Sequence, residues 1–341
     1  MNKRRAVWLC CLLASLWILS TVTLCQNASD VVAEVNGTKI TRAELEKEQA
    51  SKLLQIRYQT FMTEQKVLTE LIEHRLLAME AARQHLTVEQ LMDREINSKF
   101  KEPSEDQLQF LYEQSNATEP YEAMRGKILD LVHQHDAAKA RAVYVQKLGS
   151  QSNVFISLAP PVAEVAVGES PLLGAAGAPV QLIEFADYEC PYCAKVHPYV
   201  LKLHEEFGDQ LAIYFKDMPL PMHQRARKAA EASRCAEAQG KFWEYHDRLF
   251  SSTMIDVPQL KKYARDLNLD GPRFDKCIDS GERAALVEKD YKQAQQLGLT
   301  GTPSFFVEKH FFSGAVDYDT LHDLVTQQLK LKQNAPEVSK K

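Results

Sequence analysis

The sequence predicts two folded parts in series, a mostly α-helical segment over residues 29–158 and an α/β domain over residues 180–332. Three observations carry this. Apolar residues recur with helical spacing through most of the first half, as in Leu68, Leu71, Ile72 and Leu76 and again in Ile128, Leu131 and Val132. At Val180 the pattern changes to short runs rich in β-branched and aromatic residues, Val180–Phe185 and Leu211–Phe215, separated and followed by helical stretches. Between the two parts, Pro160-Pro161 and the Gly-, Ala- and Pro-rich stretch to Pro179 read as a linker over 159–179. A chain of 341 residues is long for one domain, and either half is large enough to bury a core.

The first 25 residues read as an export signal. Lys3-Arg4-Arg5 is a basic start, Ala6 to Leu19 is almost wholly apolar, and small or polar residues lead to Cys25, after which cleavage is expected. Two alternatives stay open: an uncleaved membrane anchor through residues 6–25, and lipidation at Cys25. All three place the bulk of the chain outside the cytoplasm. The formal charge of −5 becomes three units more negative without the basic start. No Lys/Arg stripe is interleaved with aromatics, which argues against nucleic-acid binding. Of seven cysteines, Cys10, Cys11 and Cys25 fall in the signal; the remaining four, Cys190, Cys193, Cys235 and Cys277, predict disulfides in an oxidising compartment.

The helical segment opens with a hairpin. Val31–Val35 alternates like a strand, Asn36-Gly37 is the favoured two-residue turn, and Thr38–Ile40 returns. Thr41 with Glu44 forms a capping box that starts a helix. Pro103 and the Asn116–Pro120 stretch break the helical run, and Val154–Leu158 reads as a short closing strand. This layout resembles the N-terminal chaperone domain of SurA-type, parvulin-associated periplasmic proteins; no rotamase domain follows, so proline isomerisation is not implied. The plainer reading is a helical spacer or a module for homodimerisation. Asn27, Asn36 and Asn116 stand in N-x-S/T triplets of a kind that arises often by chance.

In the second part, Cys190-Pro191-Tyr192-Cys193 follows a strand and opens a helix. A sulfur at a helix N-terminus has its thiolate stabilised by unpaired N–H groups and the macrodipole, and thiolate is the attacking species. Cys190 is therefore expected as an exposed nucleophile and Cys193 as its buried resolving partner. A four-cysteine zinc site is disfavoured because Cys235 and Cys277 form no second C-x-x-C. A purely structural bridge over so short a loop is the other alternative. Ser304–Val307 and Phe311–Ser313 read as a closing hairpin and Asp319–Leu329 as a terminal helix.

Residues 170–332 resemble a DsbA-like thioredoxin-fold domain with an inserted helical subdomain. The residues that carry the resemblance are Gly174–Val180, Ile183–Cys193, Gln239–Trp243 and Gly301–Phe306. It implies a periplasmic protein-thiol oxidoreductase with catalytic Cys190 and Cys193 and a cis-Pro303 lying against them. Thr302, Pro191 and Tyr192 would then face substrate, the backbone before the proline being free to pair with an extended chain. The strongest oxidants of the family carry His where Tyr192 stands, so a less stabilised thiolate and a weaker oxidant are expected. Glu184 matches a buried acidic position from which a carboxyl relays protons to Cys193; an acid reaching an exposed sheet edge is the alternative. His197 reads as a helix-surface residue and His223 as a helix-start residue.

Cys235 and Cys277 are expected to form a structural disulfide, since two free thiols beside a thiol oxidant would be vulnerable; two separate buried thiols are the alternative. No cofactor and no metal are expected. The leading functional expectation is an extracytoplasmic thiol–disulfide oxidoreductase acting on reduced or unfolded exported proteins and recycled by a membrane redox partner, with disulfide formation, isomerisation and reduction all open because threonine before the proline is similar to the isomerase and reductase branch of the family. A holdase chaperone with an accessory redox domain and a dedicated electron carrier are the alternatives. Residues 333–341 read as a polar tail.

Overall fold

The computed structural model describes residues 31–49, 53–115 and 117–333. The expected signal, with Cys10, Cys11 and Cys25, the asparagines at 27 and 116, and the tail beyond Gln333 lie outside these residues. The chain divides into two compact units, residues 1–50 and residues 51–341.

In the first unit, β1 (Val31–Val35) and β2 (Thr38–Thr41) pair antiparallel with Val35 opposite Thr38. Asn36 and Gly37 both adopt positive φ, 49° and 82°, the conformation a two-residue turn needs to match the strand twist. Thr41 Oγ1 accepts the backbone N–H of Glu44, starting α1 (Arg42–Gln49).

The second unit begins with α2 (Leu54–Arg83), α3 (Val88–Glu95), α4 (Glu105–Gln114) and α5 (Tyr121–Ser150). Capping boxes Thr87/Gln90 and Ser104/Gln107 start α3 and α4. Leu76, Leu77, Ala81, Leu91 and Leu148 form a small core where the end of α2 meets α3 and the end of α5. The expected apolar stripes are only partly used: Leu76 and Ile128 are buried, whereas Leu71 and Leu131 remain more than 60% exposed. The start of α2 does something periodicity did not announce. Leu54, Tyr58 and Phe61 join the main core of the sheet, with the Tyr58 ring edge-on to Phe311 at 5.2 Å and its hydroxyl donating to the Ser313 carbonyl.

Val154–Leu158 forms no strand; Phe155 is 90% exposed. Pairing comes a few residues later, where Val162 bridges His310, Ala163 N–H donates to Lys309 and Phe311 N–H to Pro161. The stretch expected as a linker is thus held to the sheet edge, and it contributes β3 (Leu172–Leu173). Gly174 follows at φ +90°, where a Cβ would come within 2.4 Å of the Leu211 carbonyl oxygen, so glycine permits this close approach.

The five-stranded sheet runs β3-β5-β4-β6-β7, with β4 (Val180–Ala186), β5 (Leu211–Asp217), β6 (Ser304–Val307) and β7 (His310–Ser313). β4 and β5 are parallel, Val180 opposite Leu211 and Ala186 opposite Asp217, joined through α6 (Pro191–Phe207); the other pairings are antiparallel. Between β5 and β6 the chain inserts α7 (Ala226–Glu237), α8 (Phe242–Phe250), α9 (Val257–Asp266), α10 (Gly271–Ser280) and α11 (Ala284–Gln296). The terminal helix is α12 (Tyr318–Gln333). This is a thioredoxin-like sheet with a helical insertion, preceded by mostly helical structure. Within the insert, Cys235 on α7 and Cys277 on α10 are disulfide-bonded, with Cα atoms 5.9 Å apart.

Candidate functional site

The end of β4 and the start of α6 deliver the cysteine pair. Cys190 occupies the N-cap of α6 in extended conformation and Pro191 the first turn, where a missing N–H costs nothing. Cys190 N–H donates to the Asp187 carbonyl, and the N–H groups of Cys193 and Ala194 return to the Cys190 carbonyl at 3.1 and 3.2 Å. Cys193 is fully buried. Cys190 is not the exposed sulfur expected from the sequence: the residue is only 4% exposed, while Pro191 and Tyr192 beside it stand in solvent. The reason is the loop before β6, which covers it.

That loop brings Thr302 and Pro303 against the pair, and the Thr302–Pro303 bond is cis. In the thiol form Cys190 Sγ donates to the Thr302 carbonyl oxygen 3.3 Å away. The buried Thr302 hydroxyl has no other partner and is available to the thiolate. Pro303 is buried, with its carbonyl accepting from Gly314 N–H at 2.9 Å.

These contacts split the two thiols. The Cys193 thiol, donating to the Cys190 sulfur, is the largest influence holding Cys190 down to about 5; burial opposes it, and Thr302 and the N–H groups of Cys193 and Tyr192 assist. Burial pushes Cys193 well above the ordinary thiol range, and the neighbouring Cys190 adds to this. Cys190 is therefore the thiolate at neutral pH and Cys193 the thiol. Tyr192 contributes its backbone N–H rather than a charged side chain.

Glu184, on β4 opposite Phe215 and Phe305, is buried, and its Oε1 has no hydrogen-bond partner among the described residues. Burial raises its carboxyl to about 8, and in its ionised form it would push Cys193 up further. Of the two readings of this acid, the buried position is the one observed.

Several residues around the pair carried no sequence signal. Asp187 is buried and accepts from Glu189 N–H, Leu220 N–H and the His223 ring at 2.7–2.8 Å, while its own N–H points to Cys193. His223 thus lies in the turn before α7, held by Asp187. Glu189 accepts the N–H groups of Arg225 and Ala226 at 2.6 and 2.8 Å and pairs with the Arg225 guanidinium, tying the residue before Cys190 to the start of α7. His197 is buried, not on the helix surface, because α8 packs over its face of α6. Behind the site, Arg234 binds Asp217 and Asp290 at 2.6 Å each, and Lys216 binds Asp290 at 3.0 Å.

The chain resembles known proteins in two separate stretches. Residues 166–327 match a family model described as thioredoxin, and residues 2–114 one described as a SurA-like N-terminal domain. Among curated relatives, the Na(+)/H(+) antiporter NhaA 3 of Salinispora tropica is 33% identical over 162 residues, 47% of this chain and 25% of that protein. The antiporter NhaA of Herminiimonas arsenicoxydans is 36% identical over 149 residues, 43% of this chain and 24% of that protein. The chain thus spans about a quarter of the length of these relatives. A thioredoxin-like oxidoreductase from Silicibacter pomeroyi aligns at 29% identity and TM-score 0.45, over 48% of this chain and 94% of that one. The catalytic domain of Proteus mirabilis ScsC aligns at 28% and 0.43, over 50% and 93%.

Proposed function

We propose, for a chain whose residues 166–327 are a thioredoxin-type domain of the DsbA-like kind and whose N-terminal part is SurA-like, that it is a protein thiol–disulfide oxidoreductase working through Cys190 and Cys193. The observation that carries this is the geometry at one helix start, where Cys190 caps α6 with its sulfur 3.3 Å from the Thr302 carbonyl and Cys193 lies fully buried one turn on, an arrangement that holds the Cys190 thiol down and pushes Cys193 up. In the oxidising direction a substrate thiolate attacks Cys190 of the Cys190–Cys193 disulfide. The S–S bond breaks, Cys193 leaves as thiolate and takes a proton, and a mixed disulfide remains on Cys190. A second substrate thiolate attacks the substrate sulfur and releases Cys190 as thiolate, a good leaving group. Two electrons have passed to the pair, which a disulfide-class oxidant must then remove. Glu184 is the proton donor to Cys193, because burial keeps a proton on its carboxyl near neutral pH. Pro191 and Tyr192 present the surface on which substrate lies, Tyr192 being 60% exposed, whereas the buried Thr302 reaches substrate only through its backbone beside Cys190.

An extracytoplasmic setting is part of this reading, supported by the basic and apolar start of the sequence and by the Cys235–Cys277 bridge. Reduced exported proteins are the substrates proposed, with a membrane redox partner for recycling. The antiport named for the curated relatives is no part of it. A second reading, holding of unfolded chains, is favoured by one observation: a cleft of about 580 Å³ between α4 and α5, lined by Pro103, Phe110, Leu111 and Val132, with Phe110 59% exposed. Insulin reduction by dithiothreitol tests the first reading. The protein should accelerate it and Cys190→Ser should not; an undiminished rate in Cys190→Ser would overturn it. Aggregation suppression that survives Cys190→Ser but is lost in Phe110→Asp would support the second.

A further inference from the structure

We infer that His197, His246 and Asp247 form a binding site for one divalent transition-metal ion, zinc by the chemistry of the donor set. One donor atom from each side chain lies within 4.8 Å of the other two, close enough for small side-chain rotations to bring all three onto a single ion. His197 comes from α6, one helical turn past Cys193; His246 and Asp247 are consecutive on α8.

The geometry between His197 and Asp247 is the informative part. Their Nε2 and Oδ1 atoms are 3.2 Å apart, yet Oδ1 is buried and accepts no hydrogen bond among the described residues. A histidine and an aspartate that merely paired would align the ring N–H on the oxygen. Two ligands of one zinc ion, bonded at 2.0–2.2 Å in tetrahedral geometry, stand about 3.3 Å apart with both lone pairs turned towards the metal. With the ring proton on His197 Nδ1, which is buried and has no partner among the described residues, Nε2 is free to bind the ion.

His246 completes the set. Its Nδ1 is 2.9 Å from the Tyr188 hydroxyl, which leaves Nε2 as the donor and fixes the ring plane, as outer partners of metal-bound histidines do. The two imidazoles lie 5.0 Å apart, centroid to centroid, at 68°. Phe215, Phe242 and Phe250 pack against them, a dry shell that strengthens charge on the metal. Asp247 is 46% exposed and supplies both a counter-charge and a route for the ion and a fourth, water ligand. Two imidazoles and one carboxylate suit zinc better than calcium or magnesium, which take oxygen sets. An ion here would pin the helix that carries the cysteine pair to the helical insert.

Zinc also binds free thiols, so the test uses the protein with Cys190 and Cys193 oxidised to their disulfide. After treatment with chelator, this form should bind one Zn²⁺ by calorimetry. His197→Gln and Asp247→Asn should each weaken binding at least tenfold, while near-ultraviolet circular dichroism shows both variants folded. Tyr188→Phe should weaken it less than either. Co²⁺ in place of zinc should give visible d–d bands without the sulfur-to-metal charge transfer of a thiolate site. No binding by the oxidised protein, binding unchanged in folded His197→Gln and Asp247→Asn, or binding seen only in the reduced form would overturn the inference.

Discussion

At Cys190 a covered sulfur is still the stronger acid, because what covers it is a set of donors: the Cys193 thiol, the Thr302 hydroxyl and two backbone N–H groups at a helix start. The thiolate absorbance at 240 nm of the reduced protein should therefore rise through about pH 5 and be absent in Cys190→Ser. A rise only near pH 8–9 would show that the donors do not act. A folded-state value below the unfolded one gives the reduced protein stability that is fully present above the unfolded thiol range and is lost as pH falls through about 5. Glu184 acts in the opposite sense. Its raised value, about 8, means the folded state holds a proton the unfolded state releases, so its contribution falls as pH climbs from the ordinary carboxyl range to about 8. Glu184→Gln should remove up to about 1.4 kcal/mol of stability change per pH unit across that window. Urea titrations of both proteins at pH 5 and pH 8 read it; identical pH dependence would show that Glu184 is ionised at neutral pH or paired. The cysteine pair and Thr302-Pro303 were legible in the sequence because each combines a chemically distinctive residue with a strand or helix boundary, whereas Glu184, inside β4, was reached only through the resemblance to the DsbA-like family. Asp187, Glu189, His223 and His246 were not, since their roles depend on partners 33 or more residues away.

The helix α7 shows how one element serves both site and insert. Its first N–H groups are capped by Glu189, its middle carries Arg234 into the buried ionic cluster, and Cys235 ties it to α10. Glu189→Ala should cost about 1–2 kcal/mol, the usual loss when a helix start is uncapped, and denaturant unfolding measures it. A loss below about 0.3 kcal/mol would mean solvent satisfies those groups as well. Replacing Cys235 and Cys277 together by alanine reopens a loop of 42 residues in sequence separation, with an expected loss of roughly 4 kcal/mol on the chain-entropy account. Thiol exchange should persist in that variant while it remains folded; loss of exchange in a folded variant would assign the bridge a redox part. The pairing of these cysteines was expected from compartment and position. The ionic cluster was not, because buried Lys216, Asp217, Arg234 and Asp290 look like surface charges until β5, α7 and α11 are packed together.

Over the whole molecule, the helical and α/β parts were separable by pattern, and their contact was not. Residues 54–61 read as the opening of an ordinary amphipathic helix, but Leu54, Tyr58 and Phe61 complete the core behind β7. Nothing in a periodicity distinguishes a face that packs on its own helices from one that packs on a sheet some 250 residues later. The strand expected at Val154–Leu158 failed for a related reason: a strand needs a partner edge, and β7 is engaged instead by residues 161–163. Tyr58→Ala in the full chain should destabilise by about 3–5 kcal/mol, as for other large aromatic truncations in a core, with the loss read by urea unfolding. A change below 1 kcal/mol would mean that α2 is not seated on the sheet. The central claim, a working dithiol at Cys190 and Cys193, is tested most directly by equilibrating the protein in glutathione buffers and quantifying both redox states by thiol alkylation. The account predicts a reversible two-electron transition of this pair, with Cys235–Cys277 unchanged. A Cys190 thiolate stabilised by its neighbours favours the reduced pair, so the transition should fall in the span of thioredoxin-fold dithiols, between about −270 and −120 mV. A pair that stays reduced or stays oxidised throughout that range would contradict it.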